Sequence, residues 1–179
     1  MNIVVTEFVS LDGVMESPEK WSLAYWNDDI SEFKFGELKN TDAHLLGRNT
    51  YEGFAAAWPS RSGEFADLMN RLPKYVVSTS LDDVEWENSH LIQADVPEEI
   101  ARLKKKPGKT MLVAGSCTLV QTLIKHNLVD EYHLLVYPLV LGSGKRLFDE
   151  DTSAKLSLVE TRPVGSGVVL VRYQPATDS

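Results

Sequence analysis

The sequence predicts an α/β fold: a mixed, mostly parallel sheet flanked by helices, with an antiparallel hairpin near the C-terminal end. Two observations carry this reading. Apolar, β-branched runs of strand length recur between stretches of helical periodicity, the rhythm of a parallel sheet covered on both faces. The last two runs break that rhythm, because only Pro163-Val164-Gly165-Ser166-Gly167 separates them, and so short a connection reads as a hairpin.

In chain order, strand character falls at residues 2–9, 43–47, 74–79, 90–94, 110–114, 131–139, 157–162 and 168–173. Helical patterns fall at residues 29–39, 50–57, 63–72, 97–106 and 118–127. The first strand opens the chain without the basic and apolar regions of a secretory leader. Strand 43–47 ends at Gly47, which lets the backbone turn sharply. Strand 74–79 ends in hydroxyls, residues that commonly close a turn. Strand 110–114 runs into Gly115, and the helix after it puts Leu119, Leu123 and Ile124 on one face, with Val120 beside them. No repeat or long linker interrupts the pattern. The expectation is one domain over residues 1–174 and a flexible tail over 175–179.

Composition narrows the function classes. With 179 residues, 43% hydrophobic and 25% charged, the chain is an ordinary globular one. A net charge of −8 argues against a general nucleic-acid or anionic-membrane binder, though a pocket can still be locally positive. Cys117 is the only cysteine, so neither an intramolecular disulfide nor a C-x-x-C zinc site can form. His44, His90, His126 and His133 lie far apart, and no metal site is expected. No apolar stretch approaches a membrane span, and a cytoplasmic protein is the expectation.

Three strand ends are suited to phosphate. In Gly47-Arg48-Asn49-Thr50-Tyr51-Glu52 a helix start presents unpaired N–H groups, Arg48 adds a charged fork and Thr50 a hydroxyl. Ser78, Thr79 and Ser80 cluster hydroxyls after a buried strand. In Ala114-Gly115-Ser116-Cys117-Thr118 small residues open an amphipathic helix, so a diphosphate could approach the backbone closely. Each segment alone also reads as a plain turn and helix start. The G-x-G-x-x-G fingerprint is not met.

Their order is more specific. With Ser10-Leu11-Asp12-Gly13 ahead of them, and Asp130-Glu131-Tyr132, Pro138-Leu139-Val140-Leu141-Gly142-Ser143-Gly144-Lys145 and Leu147-Phe148 behind, the chain resembles the dihydrofolate-reductase-like superfamily. Within it, the resemblance is to the reductase domain of riboflavin biosynthesis (the RibD C-terminal domain) and its standalone relatives, from about Met1 to Tyr173. It implies NADPH laid across the C-terminal ends of the parallel strands. Arg48 with Ser78 and Thr79, and the neighbouring Ser80, would hold the 2′-phosphate. Thr50, Gly115 and Ser116 would line the diphosphate beside Gly47, and Asp12, Gly13, Val14 and Met15 would approach the nicotinamide. The implied reaction is reduction of a small heterocyclic or phosphoribosylaminopyrimidine-type substrate, as by 5-amino-6-(5-phosphoribosylamino)uracil reductase. A homodimer is expected by the same analogy. A true dihydrofolate reductase and a non-catalytic dinucleotide-binding module are the alternatives.

The substrate side matches less closely. Dihydrofolate reductases carry an acid on the first helix, for which Asp28 and Asp29 are the candidates; both also suit a helix N-terminus. Trp21, Trp26 and Trp58 could stack on a flat ring or belong to the core. No H-x-E with P-C-x-x-C is present, so no deaminase is expected alongside. Residues 139–146 imitate a P-loop ending, but Leu139 stands at its first glycine and Arg146 at its hydroxyl, which rejects an ATPase. Lys145 is read as a solvated turn lysine that could meet a substrate phosphate.

Overall fold

The computed structural model describes residues 1–176. Eight strands form one sheet: β1 (Asn2–Ser10), β2 (Ala43–Gly47), β3 (Lys74–Val77), β4 (Ser89–Ile92), β5 (Thr110–Ala114), β6 (Glu131–Tyr137), β7 (Leu156–Pro163) and β8 (Val169–Pro175). Five helices cover it: α1 (Asp28–Lys39), α2 (Arg48–Ala57), α3 (Glu64–Arg71), α4 (Val96–Lys104) and α5 (Cys117–Lys125). Two short 3-10 turns, Pro18–Lys20 and Leu23–Tyr25, lie between β1 and α1 where the sequence suggested only loop.

The strand order is β4-β3-β2-β5-β1-β6-β8-β7. All pairings from β4 to β6 are parallel, while β8 runs antiparallel to β6 and to β7. The mixed sheet and its terminal hairpin therefore stand as the sequence suggested. Val164 N–H donates to Val168 O at 2.9 Å to close that hairpin. Pro175, where the tail was expected to begin, still pairs with Leu156; residues 177–179 lie outside the described residues.

β1 is buried along most of its length because it is central and covered on both faces. One face packs Ile3, Val5, Leu45, Met111 and Val113 against Ile100 of α4 and Leu119 and Leu123 of α5. The other face meets α1 through Ile30 beside Leu135 and Tyr137, and through Leu38 beside Leu46 and Val76. Each such aliphatic side chain removed from water contributes roughly 1.5–3 kcal/mol before the entropy of ordering is charged against it. α1 starts where Asn27 Oδ1 accepts the N–H of Ile30 at 3.0 Å, a side-chain cap. Asn27 Nδ2 also donates to Ser166 Oγ at 3.1 Å, which ties that helix start to the β7–β8 turn. No helix among the described residues is long and apolar enough to cross a membrane.

Candidate functional site

At the C-terminal edge of the parallel strands, β2 and β5 carry two helix starts side by side. Gly47 donates its N–H to Ser116 Oγ at 2.9 Å, and Ser116 donates its N–H to Thr50 Oγ1 at 3.0 Å. Each helix start thus holds the other. Gly47 has φ −80°, so it is not needed for the sharp turn suggested by the sequence. Its value is closeness: a Cβ there would lie 3.4 Å from Ser116 Cβ. Gly115 differs, with φ +61° and room for a Cβ only 2.9 Å from Thr50 Oγ1, so both backbone and space favour glycine. Ser116 follows at φ 60°, also left-handed.

Neither α2 nor α5 has a side-chain cap. Their first-turn N–H groups have no partner within the helix, and the positive ends of two helix dipoles converge there. The N–H groups of Gly115 and Ser116 are themselves engaged, by Glu7 Oε2 at 3.0 Å and by Thr50. What the turn offers an anion is therefore a close surface and the amides at the start of α5, including that of Cys117.

Further along this edge, Arg48 Nη1 donates to Ser80 Oγ at 2.9 Å. Arg48, Thr79 and Ser80 are exposed, whereas Ser78 is buried. The Ser78 hydroxyl accepts the N–H groups of Ser80 and Leu81, so it closes its own turn. The structure brings together Arg48 and Ser80 and turns Ser78 inward.

After β1 the chain is clamped to the segment following β6. Asp12 accepts from Ser10 Oγ at 2.6 Å and from the N–H groups of Leu141 at 3.1 Å and Gly142 at 2.8 Å. These bonds, the Ser10 hydroxyl first, hold its carboxyl at about 2. Met15 N–H donates to Lys145 O, Leu147 N–H to Gly13 O, and Arg146 Nε to Asp12 O. Val14 and Met15 are buried, and Lys145 is exposed in the turn opposite them. The P-loop-like segment is thus a buttress for residues 12–15.

On the α1 side of this edge an aromatic group surrounds Tyr137. Phe8, Trp21 and Tyr25 have ring centroids within 5.3–5.6 Å of it, and Trp26 meets Phe8 at 6.3 Å. Trp58 lies elsewhere, against Phe54 and Phe65. Burial raises the Tyr137 hydroxyl, which has no hydrogen-bond partner among the described residues, to about 12.

Asp28 and Asp29 form the first turn of α1, both exposed, with Asn27 providing the cap. The desolvated carboxylate expected of a catalytic acid is not found there, and the role suggested for the pair loses its support. Asp29 borders a cavity of about 590 Å³ between α1 and the strands that includes His133, Arg162 and Arg172. That cavity also reaches Val4 and Thr110, near the opposite ends of the strands from Arg48 and Gly115.

The buried acids lie inside the fold instead. Glu37 is driven upward by burial, but Lys34 and His133 more than offset this and leave it below its ordinary value. Glu7 receives no comparable compensation, and burial holds its carboxyl well above the usual range. Sequence reasoning passed over Glu7. Its only signal was one acid inside the run from Ile3 to Val9.

The family model of the RibD C-terminal domain matches residues 1–170. The uncharacterised protein YyaP of Bacillus subtilis (strain 168) is 31% identical over 180 residues, covering 96% of this chain and 93% of its own. A protein named for riboflavin biosynthesis from Shewanella sp. PV-4 superposes with a TM-score of 0.80 at 22% identity, over 99% of this chain and 100% of its own. Dihydrofolate reductase from Enterococcus faecalis, complexed with NADP(H), gives 0.67 at 17% identity, over 98% and 97%. A diaminohydroxyphosphoribosylaminopyrimidine deaminase/5-amino-6-(5-phosphoribosylamino)uracil reductase from Thermotoga maritima gives 0.66 at 17%, over 98% of this chain and 56% of that one. At these identities the superpositions establish a shared dihydrofolate-reductase-like fold.

Proposed function

The chain belongs to the RibD C-terminal domain family, and on that premise we propose that residues 1–174 form an NADPH-dependent reductase of a small heterocyclic or phosphoribosylaminopyrimidine-type substrate. The observation that carries the reading is the pair of helix starts bound to each other through Gly47, Ser116 and Thr50. Two converging helix N-termini favour an anion more than either alone, and they stand where open α/β sheets take their ligands.

The residues fit a phosphorylated dinucleotide. The first turns of α2 and α5, with Thr50, Gly115 and Ser116, would take the diphosphate. Arg48, Ser80 and Thr79 would take the 2′-phosphate, with Ser78 acting through the turn that it closes. The loop Asp12–Met15, held by Leu141, Gly142 and Arg146, would exclude water at the nicotinamide end. When bound, the cofactor supplies the hydride; the chain supplies grip, orientation and dryness. Phe8, Trp21 and Trp26, backed by the buried Tyr137, form the surface on which a flat substrate ring would lie.

A thermal-shift and turnover series tests this reading. NADPH at about a hundred times its dissociation constant should stabilise the fold by about 2.7 kcal/mol. Oxidation of NADPH should follow addition of a phosphoribosylaminopyrimidine and not of dihydrofolate. Turnover of dihydrofolate alone would make the protein a true dihydrofolate reductase, and binding without turnover of any pyrimidine or pterin would make it a binding module. Sedimentation tests the homodimer expected by analogy.

A further inference from the structure

We propose that Glu7 is the positioning residue of the diphosphate turn and acts as a neutral acid, so that an anion seated on Gly115–Ser116 is held together with the proton on Glu7. This deepens the cofactor reading above and rests on it.

The geometry starts from β1, which runs between β5 and β6 and carries Glu7 into the interior at 4% exposure. Oε2 accepts the N–H of Gly115 at 3.0 Å, and so braces a turn whose two residues, Gly115 and Ser116, are both left-handed. Oε1 is buried and has no partner among the described residues. A purely structural ionised acid would need bonds to both oxygens, because a buried, unpaired charge is costly.

The surrounding charges do not supply a counter-ion. From α1, across the sheet, Lys34 and Glu37 act on Glu7 with opposite sign. Lys34 is already committed, with Nζ bonded to Thr6 Oγ1 at 2.7 Å and paired to Glu37. From α5 the neighbour is Cys117, whose thiol is pushed up chiefly by burial and so brings no charge to Glu7; Lys145, Glu16 and Asp149 act on that thiol from the adjoining loops. Burial keeps Glu7 well above the ordinary carboxylate range, only partly offset by Lys34 and the Gly115 N–H. An ionised Glu7 would place negative charge beneath the place offered to a diphosphate. The neutral acid keeps the bond to Gly115 without that repulsion.

The test uses Glu7→Gln, which retains a carbonyl acceptor for Gly115 and never ionises. NADPH and inorganic pyrophosphate serve as probes, titrated across the pH range in which carbon-13 NMR shows the Glu7 carboxyl to ionise. The ratio of wild-type to variant dissociation constants cancels the probes' own titration. It should rise with pH, approaching about tenfold per unit once Glu7 ionises in the free protein. Calorimetry of the wild type in buffers of different ionisation enthalpy should show proton uptake on binding. Carbon-13 NMR of the free protein should show the Glu7 carboxyl titrating above the ordinary range.

An ordinary Glu7 titration in the free protein overturns the proposal, and so does a flat ratio or absent proton uptake across the pH range in which Glu7 is seen to ionise. If Glu7→Gln does not fold, the wild-type proton uptake decides. NADPH failing while pyrophosphate shows the rising ratio removes the cofactor reading and keeps this one. Neither probe binding overturns both.

Discussion

Arg48 donates from Nη1 to Ser80 Oγ at 2.9 Å, joining the start of α2 to the turn after β3 while both side chains remain exposed. This contact holds the guanidinium beside the hydroxyls proposed to take the 2′-phosphate. Arg48→Ala should weaken NADPH far more than NADH, by roughly 1.5–3 kcal/mol, since a charge-assisted pair to the 2′-phosphate is lost. Fluorescence titration of both cofactors checks this, and equal losses would remove the 2′-phosphate role.

Gly115→Val should abolish cofactor binding in a protein that still folds. The new side chain would meet Thr50 at the contact that stitches α2 to α5, in a left-handed conformation that β-branched residues avoid. Gly115→Ala should fall between, with a strain cost of about 1 kcal/mol. Circular dichroism separates folding from binding. Normal NADPH affinity in the Val variant would show the turn to be structural only.

For Asp28→Asn and Asp29→Asn, steady-state turnover and NADPH affinity should both stay within about twofold of wild type, as expected of exposed helix-start acids whose cap is supplied by Asn27. A loss of turnover by either variant, at unchanged NADPH affinity, would restore it as the substrate acid.

His44 sets an acid limit on stability. It is 2% exposed on β2, and neither ring nitrogen has a partner among the described residues. Burial first, then the charges of Lys74 and Lys34, hold it down at about 3 against an ordinary 6.5. Between those values the unfolded chain binds a proton that the folded chain refuses, so stability falls as pH drops through that window. The full effect is on the order of 4–5 kcal/mol. His44→Leu should flatten this acid limb in urea denaturation series at several pH values. An unchanged limb would assign the acid loss to the carboxylates.

Much of this was legible in the sequence, for reasons visible in particular residues. β2 and β5 begin and end where the apolar runs do, because Gly47 and Gly115 mark their ends chemically. β3 stops at Val77 rather than Thr79 because the Ser78 hydroxyl captures two backbone N–H groups, an event no periodicity records. Arg48 and Thr50 could be read as phosphate-directed because helix starts have local signatures. Glu7 could not, since an acid in a strand ordinarily faces water. Only the long-range insertion of β1 between β5 and β6 makes that position interior.

That insertion also dictates an order of events during synthesis. Asn2 pairs with Thr110, and Val4 with Glu131, so β1 has no neighbour until those distant segments leave the ribosome. Until then β2, β3 and β4 can pair among themselves, while the apolar run from Ile3 to Val9 stays uncovered. Such dominance of distant contacts slows folding and lengthens the interval in which that strand is open to wrong partners and to chaperones. The strand that organises the finished sheet is, while the chain is growing, its most vulnerable segment.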